Sequence, residues 1–494
     1  GVGGARWHAS GRWPWRPAAT GACAWSATID HQAAPRMTGG EVDAPWGAQP
    51  PVLRGPVGGG GTQAWVDRLA QAECPALTAR RARRSEQSGA PQDPLVWQAA
   101  QGCNVRDVEG NIFVDLSAGF GAAVLGHAHP ALQAAIQTQS AELVHALGDL
   151  HPSTTKIALL ERLQALAPWP KARVMLGLSG SDAVEAALKT AQLATGRSGV
   201  LAFEGGYHGL SYGALAVSGY SPRFRDPFAA QLHPEVHFAP YPRSEAEVPA
   251  ALTRLDALWQ AAPAPIGAVI VEPIQGRGGV HAAPLAWLQA LAERCRARGA
   301  RLIVDEIMVG LGRTGALCWS AAHGLEADLI CWGKALGGGM PVSACVGRAD
   351  VMAAWGDPAG EAIHTGTFFG HPLGCAAALA VLDVLQRDAL PARAAALGAW
   401  WRTALTETLT DTAAVTAVRG AGLLLGIELQ APQAALGLHR ALLERGYITL
   451  VAGADARVLQ LLPPLTIPES RLLAFNRTLG SCVSAIEPSR AESR

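Results

Sequence analysis

Between residues 173 and 333 the chain repeats one theme. A short apolar run without alternation is followed by a turn and then, in most cases, by a segment with helical spacing. The runs are "RVMLGL", "GVLAFEGG", "IGAVIVEPIQG", "ARLIVDEI" and "ADLICWG". A strand with one wet face alternates apolar and polar residues, whereas one that never alternates is covered on both faces. The segments "SDAVEAALKTAQLATG" and "PLAWLQALAERCRARG" supply that cover as helices, each closing on a glycine. Strands separated by helices argue for an α/β fold with a mostly parallel central sheet.

The flanks read differently. "NVRDVEGNIFVDLSAGFG" predicts a hairpin turning at Glu109-Gly110-Asn111, and "HPALQAAIQTQSAELVHAL" predicts a helix opening after Pro130. "WVDRLAQAECPALTARRARRSEQ" looks helical at its start, and "PLGCAAALAVLDVLQR" is a long helix. Beyond it, "LLLGIEL", "YITLVAG" and "VLQLLPPL" between helical segments suggest a smaller α+β domain. The expected division is a leader over 1–62, a small domain from 63–134 and 381–494, and a large domain over 135–380. The leader, with "GRWPWRP" and "GPVGGGGT", shows no period and is set aside as disordered or as upstream sequence translated in frame. Its first methionine is Met37, and its early arginines are a poor match to a mitochondrial presequence.

At 494 residues the chain is long enough for two or three domains. Lys plus Arg and Asp plus Glu balance at 40 each, so bulk charge gives no support for nucleic acid or membrane surfaces as partners. The nine cysteines are scattered and never in a CxxC spacing, which points to reduced thiols in the cytoplasm and away from a zinc site.

Ligands of parallel sheets bind outside the carboxyl ends of the strands. After "RVMLGL" stand Ser179, Gly180 and Ser181 at a helix start, an anion cradle or, taken alone, an ordinary N-cap. Tyr207 and His208 follow the next strand, where an aromatic either stacks on a flat ring or lines a rim. Glu272 ends a third, with Gln275, Gly276 and Arg277 beyond it. Asp305 and Glu306 end a fourth, where a carboxylate needs a cation or a cap. Lys334 ends a fifth and is followed by three glycines at 337–339, which let a bulky ligand approach the backbone. One molecule accounts for all five positions. Pyridoxal 5′-phosphate needs a lysine for its aldehyde, a helix N-terminus for its phosphate, an aromatic for its ring and an acid for its pyridinium nitrogen.

At this point the sequence resembles the class III aminotransferases, pyridoxal-phosphate enzymes of fold type I, over roughly residues 63–490. The likeness rests on "GLSGSDAVEAALKTAQLATGRSGVLAFEGGYHGLSYGALAVSG", "VDEIMVGLGRTG", "GKALGGGMPVSACVG" and "HTGTFFGHPLGCAAALAVL", in that order. The resemblance implies that Lys334 forms the Schiff base and shuttles the proton, and that Asp305 holds the pyridinium. It implies phosphate contacts from Gly180 and Ser181, with Thr367 reaching across from a partner subunit in a homodimer. Tyr207 and Ile307 would flank the ring, with His208 in the same motif and Glu272 supporting Asp305. Arg419, in "VRGAGLLLGIE", would grip a substrate carboxylate, and Phe120 and Arg277 join it as substrate-binding candidates.

Two positions depart from the family pattern. Arg277 stands where members acting on 4-aminobutyrate or ornithine often carry Glu, and Met308 stands where many carry a Gln that touches the ring hydroxyl. An arginine cannot neutralise Arg419 as that Glu does, but it can bind an anion on the substrate. The implied reaction is a ping-pong transfer from an amine or ω-amino acid such as 4-aminobutyrate to a 2-oxo acid. Racemases, aminomutases and ammonia-lyases share the fold and stay open as alternatives. A remoter one is a nicotinamide oxidoreductase, because "GLGRTG" at 310–315 fits G-x-G-x-x-G after a strand.

Overall fold

The computed structural model describes residues 46–88, 94–356, 361–410 and 412–486, and these fall within one compact unit. Its centre is a seven-stranded sheet: β1 (Arg173–Gly177), β2 (Gly199–Phe203), β3 (Val236–Ala239), β4 (Ile266–Val271), β5 (Arg301–Asp305), β6 (Leu329–Trp332) and β7 (Ser343–Gly347). The order across the sheet is β1-β7-β6-β5-β4-β2-β3. Only β7 runs antiparallel to its neighbours. Every residue of β2, β4, β6 and β7 is buried, as the unbroken apolar runs require. Two strands escape the sequence reading. β3 is four residues long, and β7 lies inside the "GKALGGGMPVSACVG" motif, whose glycines mask its strand character.

Helices cover both faces. α1 (Gly180–Thr195) lies across β1, β4, β5, β6 and β7, and α2 (Leu285–Arg298) leads into β5. Both end on a left-handed glycine, Gly196 at φ 66° and Gly299 at φ 70°. Ala183, Val184, Ala187 and Ala191 of α1 pack with Ile270, Ile303, Leu329 and Cys331 on one face. Trp287, Leu288 and Leu291 of α2 join the larger core on the other.

The hairpin at 104–115 forms as read, with Asn104–Asp107 antiparallel to Ile112–Asp115. Tyr447–Ile448 adds to it in parallel, so both ends of the chain share one small sheet. A second small sheet holds Val415–Ala421, Leu424–Leu429, Val458–Leu461 and Leu450–Ala452. Two expectations shift. Residues 46–62, counted with the leader, are ordered: Val52 exchanges two backbone bonds with Ile112, and the Asn111 carboxamide oxygen accepts from Arg54 and Gly55. Side-chain anchoring of this kind leaves no periodicity to read. The rest of the leader lies outside the described residues. The helix after Pro130 stops at Glu142, because Leu143 turns extended, and Leu143, Val144, Leu147 and Leu150 are left exposed.

Candidate active site

The functional candidates converge at the carboxyl ends of β1, β2, β4, β5 and β6. Asp305 is the last residue of β5 and 4% exposed. Its Oδ2 lies 2.7 Å from His208 Nδ1, and its Oδ1 accepts the Ile307 N–H at 3.0 Å. Burial opposes charge on His208, yet the bond to Asp305 and the charges of Asp305 and Glu272 raise it above its ordinary range. The imidazolium and the carboxylate therefore stabilise each other out of water. The adjacent acid has another task. Glu306 accepts from the Trp319 and Ser320 backbone and from the Trp332 indole, so it caps a short helix instead of facing the site.

Glu272 follows β4 and accepts the N–H groups of Tyr207 at 2.8 Å and Gly276 at 3.2 Å. Burial, with the nearby Asp305 charge, pushes it up to about 7. It thereby ties the loop after β2 to the loop after β4. The first of these loops also closes on α1, where the Ser181 hydroxyl accepts the Leu210 N–H at 3.3 Å. Gly209 makes that approach possible, since it sits at φ 128° and a Cβ there would lie 2.0 Å from Ser181 Oγ.

Lys334 follows β6 through Gly333 and is held at φ 40°, an uncommon conformation for a residue with a side chain. It is half-buried, and its amine makes no hydrogen bond or ion pair with any described residue. Burial lowers it below its ordinary range, Arg277 adds to this, and Asp305 and Glu272 oppose it. A Cβ on Gly121 would lie 3.9 Å from Lys334 Cδ, which places the exposed Phe120 beside the same mouth.

The residues fit pyridoxal phosphate on three counts. The capping box of α1 uses Ser179 Oγ for the Asp182 N–H and the Asp182 carboxylate for the Ser179 N–H. That leaves the N–H groups of Gly180 and Ser181 without an acceptor among the described residues, at a helix start suited to a phosphate. Lys334 offers an unpartnered amine, and Asp305 a carboxylate with lone pairs to spare. Ile307 closes one wall: a Cβ on Gly180 would meet its Cδ1 at 2.9 Å, and one on Gly333 its Cγ2 at 3.4 Å.

Thr367 and Arg419 stand apart from this group. Thr367 is exposed in a turn, and no hydrogen bond or ion pair joins it to the site residues of its own chain among the described residues. Arg419 reaches the site only through the 276–281 loop, whose carbonyls it binds, and it is also paired with Glu428. Several contributors escaped the sequence reading: Ser218, which accepts the His208 N–H at 3.0 Å, and Glu428, Tyr220 and Gln460 around the same loop. Of these, only Glu428 left a signal, as the lone acid of the strand that follows Arg419. Met308, which stands where many relatives of the resembled family carry a glutamine, accepts from the Gln460 amide at 3.7 Å through its sulfur. The "GLGRTG" stretch is a turn with no helix opening on Gly315, and its Arg313 is buried against the Leu423 and Pro463 carbonyls. That geometry cradles no pyrophosphate.

The class-III aminotransferase profile matches residues 86–483. An acetylornithine aminotransferase of Methanothermobacter thermautotrophicus is 34% identical over 395 residues, 80% of this chain and 95% of its own length. A 5-aminovalerate aminotransferase of Pseudomonas aeruginosa is 35% identical, over 79% of this chain and 93% of its own. Among solved structures, a PLP-bound amine transaminase from an uncultivated Pseudomonas species superposes with a TM-score of 0.75 at 28% identity, covering 80% of this chain and 96% of that one. A strand order, a lysine, an acid and a helix start that suit one cofactor thus agree with likeness along most of the sequence: the chain belongs to the class III aminotransferases, which transfer amino groups with pyridoxal 5′-phosphate.

Proposed function

We propose that this enzyme takes the amino group of a carboxylate-bearing primary amine of the 4-aminobutyrate kind and delivers it to a 2-oxo acid, in two half-reactions at one site. The observation that carries the reading is Lys334, an unpartnered half-buried amine within electrostatic reach of Asp305, whose carboxylate is braced by His208. The relatives named for acetylornithine and 5-aminovalerate support a donor with its amine far from its carboxylate.

Pyridoxal phosphate, when bound, supplies the electron sink that lets a substrate C–H bond break. The chain does the rest. Lys334 would hold the cofactor at its aldehyde carbon, and as an amine of lowered proton affinity it would move the proton at the substrate carbon. Asp305 would hold the protonated ring nitrogen, with His208 orienting its carboxylate. Gly180 and Ser181 hold the phosphate, Tyr207 and Ile307 confine the ring, and Glu272 fixes the Tyr207 loop. Phe120 shields the mouth from water.

Thr367 completes the phosphate site of a second copy in this reading. Exposed Leu147, Leu150, Ile363 and Phe368 near it support a homodimer face. The division into a large domain over 135–380 and a small one from 63–134 with 381–494 is supported by the pairing of Ile112–Asp115 with Tyr447–Ile448. A cytoplasmic setting is supported by the eight cysteines among the described residues, all unpaired and seven of them buried.

The test is the absorption spectrum of the purified enzyme as donors are added. A yellow band that bleaches with 4-aminobutyrate, 5-aminovalerate or N-acetylornithine, and returns with a 2-oxo acid, is the expected result. A band that none of these moves overturns the donor assignment.

A further inference from the structure

Arg277 and Arg419 are both candidates for the substrate carboxylate, and the structure treats them oppositely. Arg419 is fully committed. Its Nε donates to the Gly279 carbonyl at 3.0 Å and the Val280 carbonyl at 3.2 Å. Its Nη2 donates to Gly279 at 2.7 Å and lies 3.3 Å from His281 Nε2, while Nη1 meets Glu428 Oε2 at 2.5 Å. The strand register explains the ion pair: Arg419 lies opposite Gly426 and Ala417 opposite Glu428, so the two side chains are diagonal neighbours on one face. Arg419 also holds a strained turn, because Val280 is a β-branched residue at φ 58°. Gly426 leaves room for it, since a Cβ there would lie 3.0 Å from Val280 Cβ. Turning Arg419 toward a substrate would break four hydrogen bonds and an ion pair and release that turn.

Arg277, near the other end of the same loop, has nothing of the kind. Its guanidinium makes no ion pair and no hydrogen bond among the described residues, although it is half-buried. It lies 5.4 Å from the ring of Tyr220 and 5.8 Å from the ring of Tyr207. Both backbone and wall are pinned. The Arg277 carbonyl accepts the Gly453 N–H at 2.9 Å, and the Tyr220 hydroxyl donates to the Gly453 carbonyl at 2.9 Å. A half-buried cation beside two aromatic rings, held in place and lacking an anion among the described residues, is preorganised for one.

We infer that Arg277, set against Tyr207 and Tyr220, binds the carboxylate of the amino donor, while Arg419 in its present contacts shapes the 276–281 loop. The inference rests on the amino-transfer reading above and deepens it. It makes the donor class amines that carry a carboxylate away from the amino group, with plain alkylamines losing the contact.

The experiment measures half-saturation for bleaching of the yellow band by 5-aminovalerate and by 1-butylamine, in the wild-type holoenzyme and in Arg277→Met, Arg277→Lys and Arg419→Lys. Calorimetric binding of sodium valerate, which cannot react, is measured on the same proteins. The inference expects the preference for 5-aminovalerate over butylamine to fall at least tenfold in Arg277→Met and to recover in part in Arg277→Lys, with valerate affinity falling in parallel. Arg419→Lys should lower the melting temperature and weaken both donors together. A preference and a valerate affinity unchanged in Arg277→Met, or a preference lost in Arg419→Lys instead, overturns the assignment and leaves amino transfer standing. If no donor bleaches the wild-type band, the amino-transfer reading itself falls, and this inference with it.

Discussion

His208 Nδ1 and Asp305 Oδ2 lie 2.7 Å apart although 97 residues separate them in the chain, and both side chains are almost wholly buried. In the proposed site this pair presents the Asp305 carboxylate to the cofactor nitrogen. Replacing Asp305 by Asn removes that charge with little change of shape, and kcat should fall by about three orders of magnitude, as for loss of a preorganised electrostatic partner. His208→Gln should cost less, roughly tenfold, because Asp305 keeps its bond from the Ile307 N–H. Steady-state rates of the two variants, with the holoenzyme absorption band as a check on loading, decide between this order and its reverse.

In the proposed mechanism Lys334 has two tasks, attachment and proton transfer. Lys334→Ala should lose about four orders of magnitude in turnover. Borohydride treatment followed by intact-mass measurement should add the cofactor's mass to the wild type and not to the variant. Labelling at another lysine would displace Lys334 from its role.

Thr367 is proposed to complete the site of a second copy, and a mixing experiment isolates that proposal. Lys334→Ala and Thr367→Asp chains should each be nearly inactive alone. Refolded together in equal amounts, they should recover about a quarter of the wild-type activity, since half the dimers are mixed and each holds one intact site. No recovery, with mixed dimers shown to form, removes Thr367 from the partner's site.

Arg313 is 1% exposed, and burial pulls its guanidinium down to about 9. It donates to Leu423 at 3.0 Å and to Pro463 at 2.5 Å, carbonyls distant in sequence. Arg313→Met leaves both oxygens buried without that donor and should cost about 3 kcal/mol in denaturant unfolding. A change under about 0.5 kcal/mol would mean the two carbonyls find other donors.

Glu272 makes the cofactor-free fold sensitive to pH. Its carboxyl titrates near 7 in the folded chain and near its ordinary 4.5 once unfolded. Between these values the folded state holds the proton that the unfolded state has released, so stability falls as pH rises from about 4.5 to 7 and is level in this respect above that. His208, also raised, acts in the same direction: its contribution is present below its unfolded value and is lost as pH rises through the folded one. Melting temperatures of wild type and Glu272→Gln at pH 5 and pH 8 should therefore differ in slope, with the variant flatter. Parallel slopes would leave Glu272 with an ordinary carboxyl.

The sequence alone determined the parallel sheet and the end of each strand, because an unalternating apolar run must be buried on both faces and its first polar residue marks where the core stops. That is why Lys334, Asp305, Glu272, Tyr207 and Gly180 stand out as a group in the sequence itself. What the sequence left undecided were choices between chemically equal neighbours. Asp305 and Glu306 are adjacent acids, and only the turn after β5 sends one to His208 and the other to the Trp319 and Ser320 amides. Arg277 and Arg419 are both arginines in family motifs, and only the packing of the 424–429 strand against the 276–281 loop pairs one with Glu428 and leaves the other bare. Such partners lie 9 to 140 positions apart along the chain. Their meeting depends on how strands and loops stack in space, which no local pattern of residues encodes.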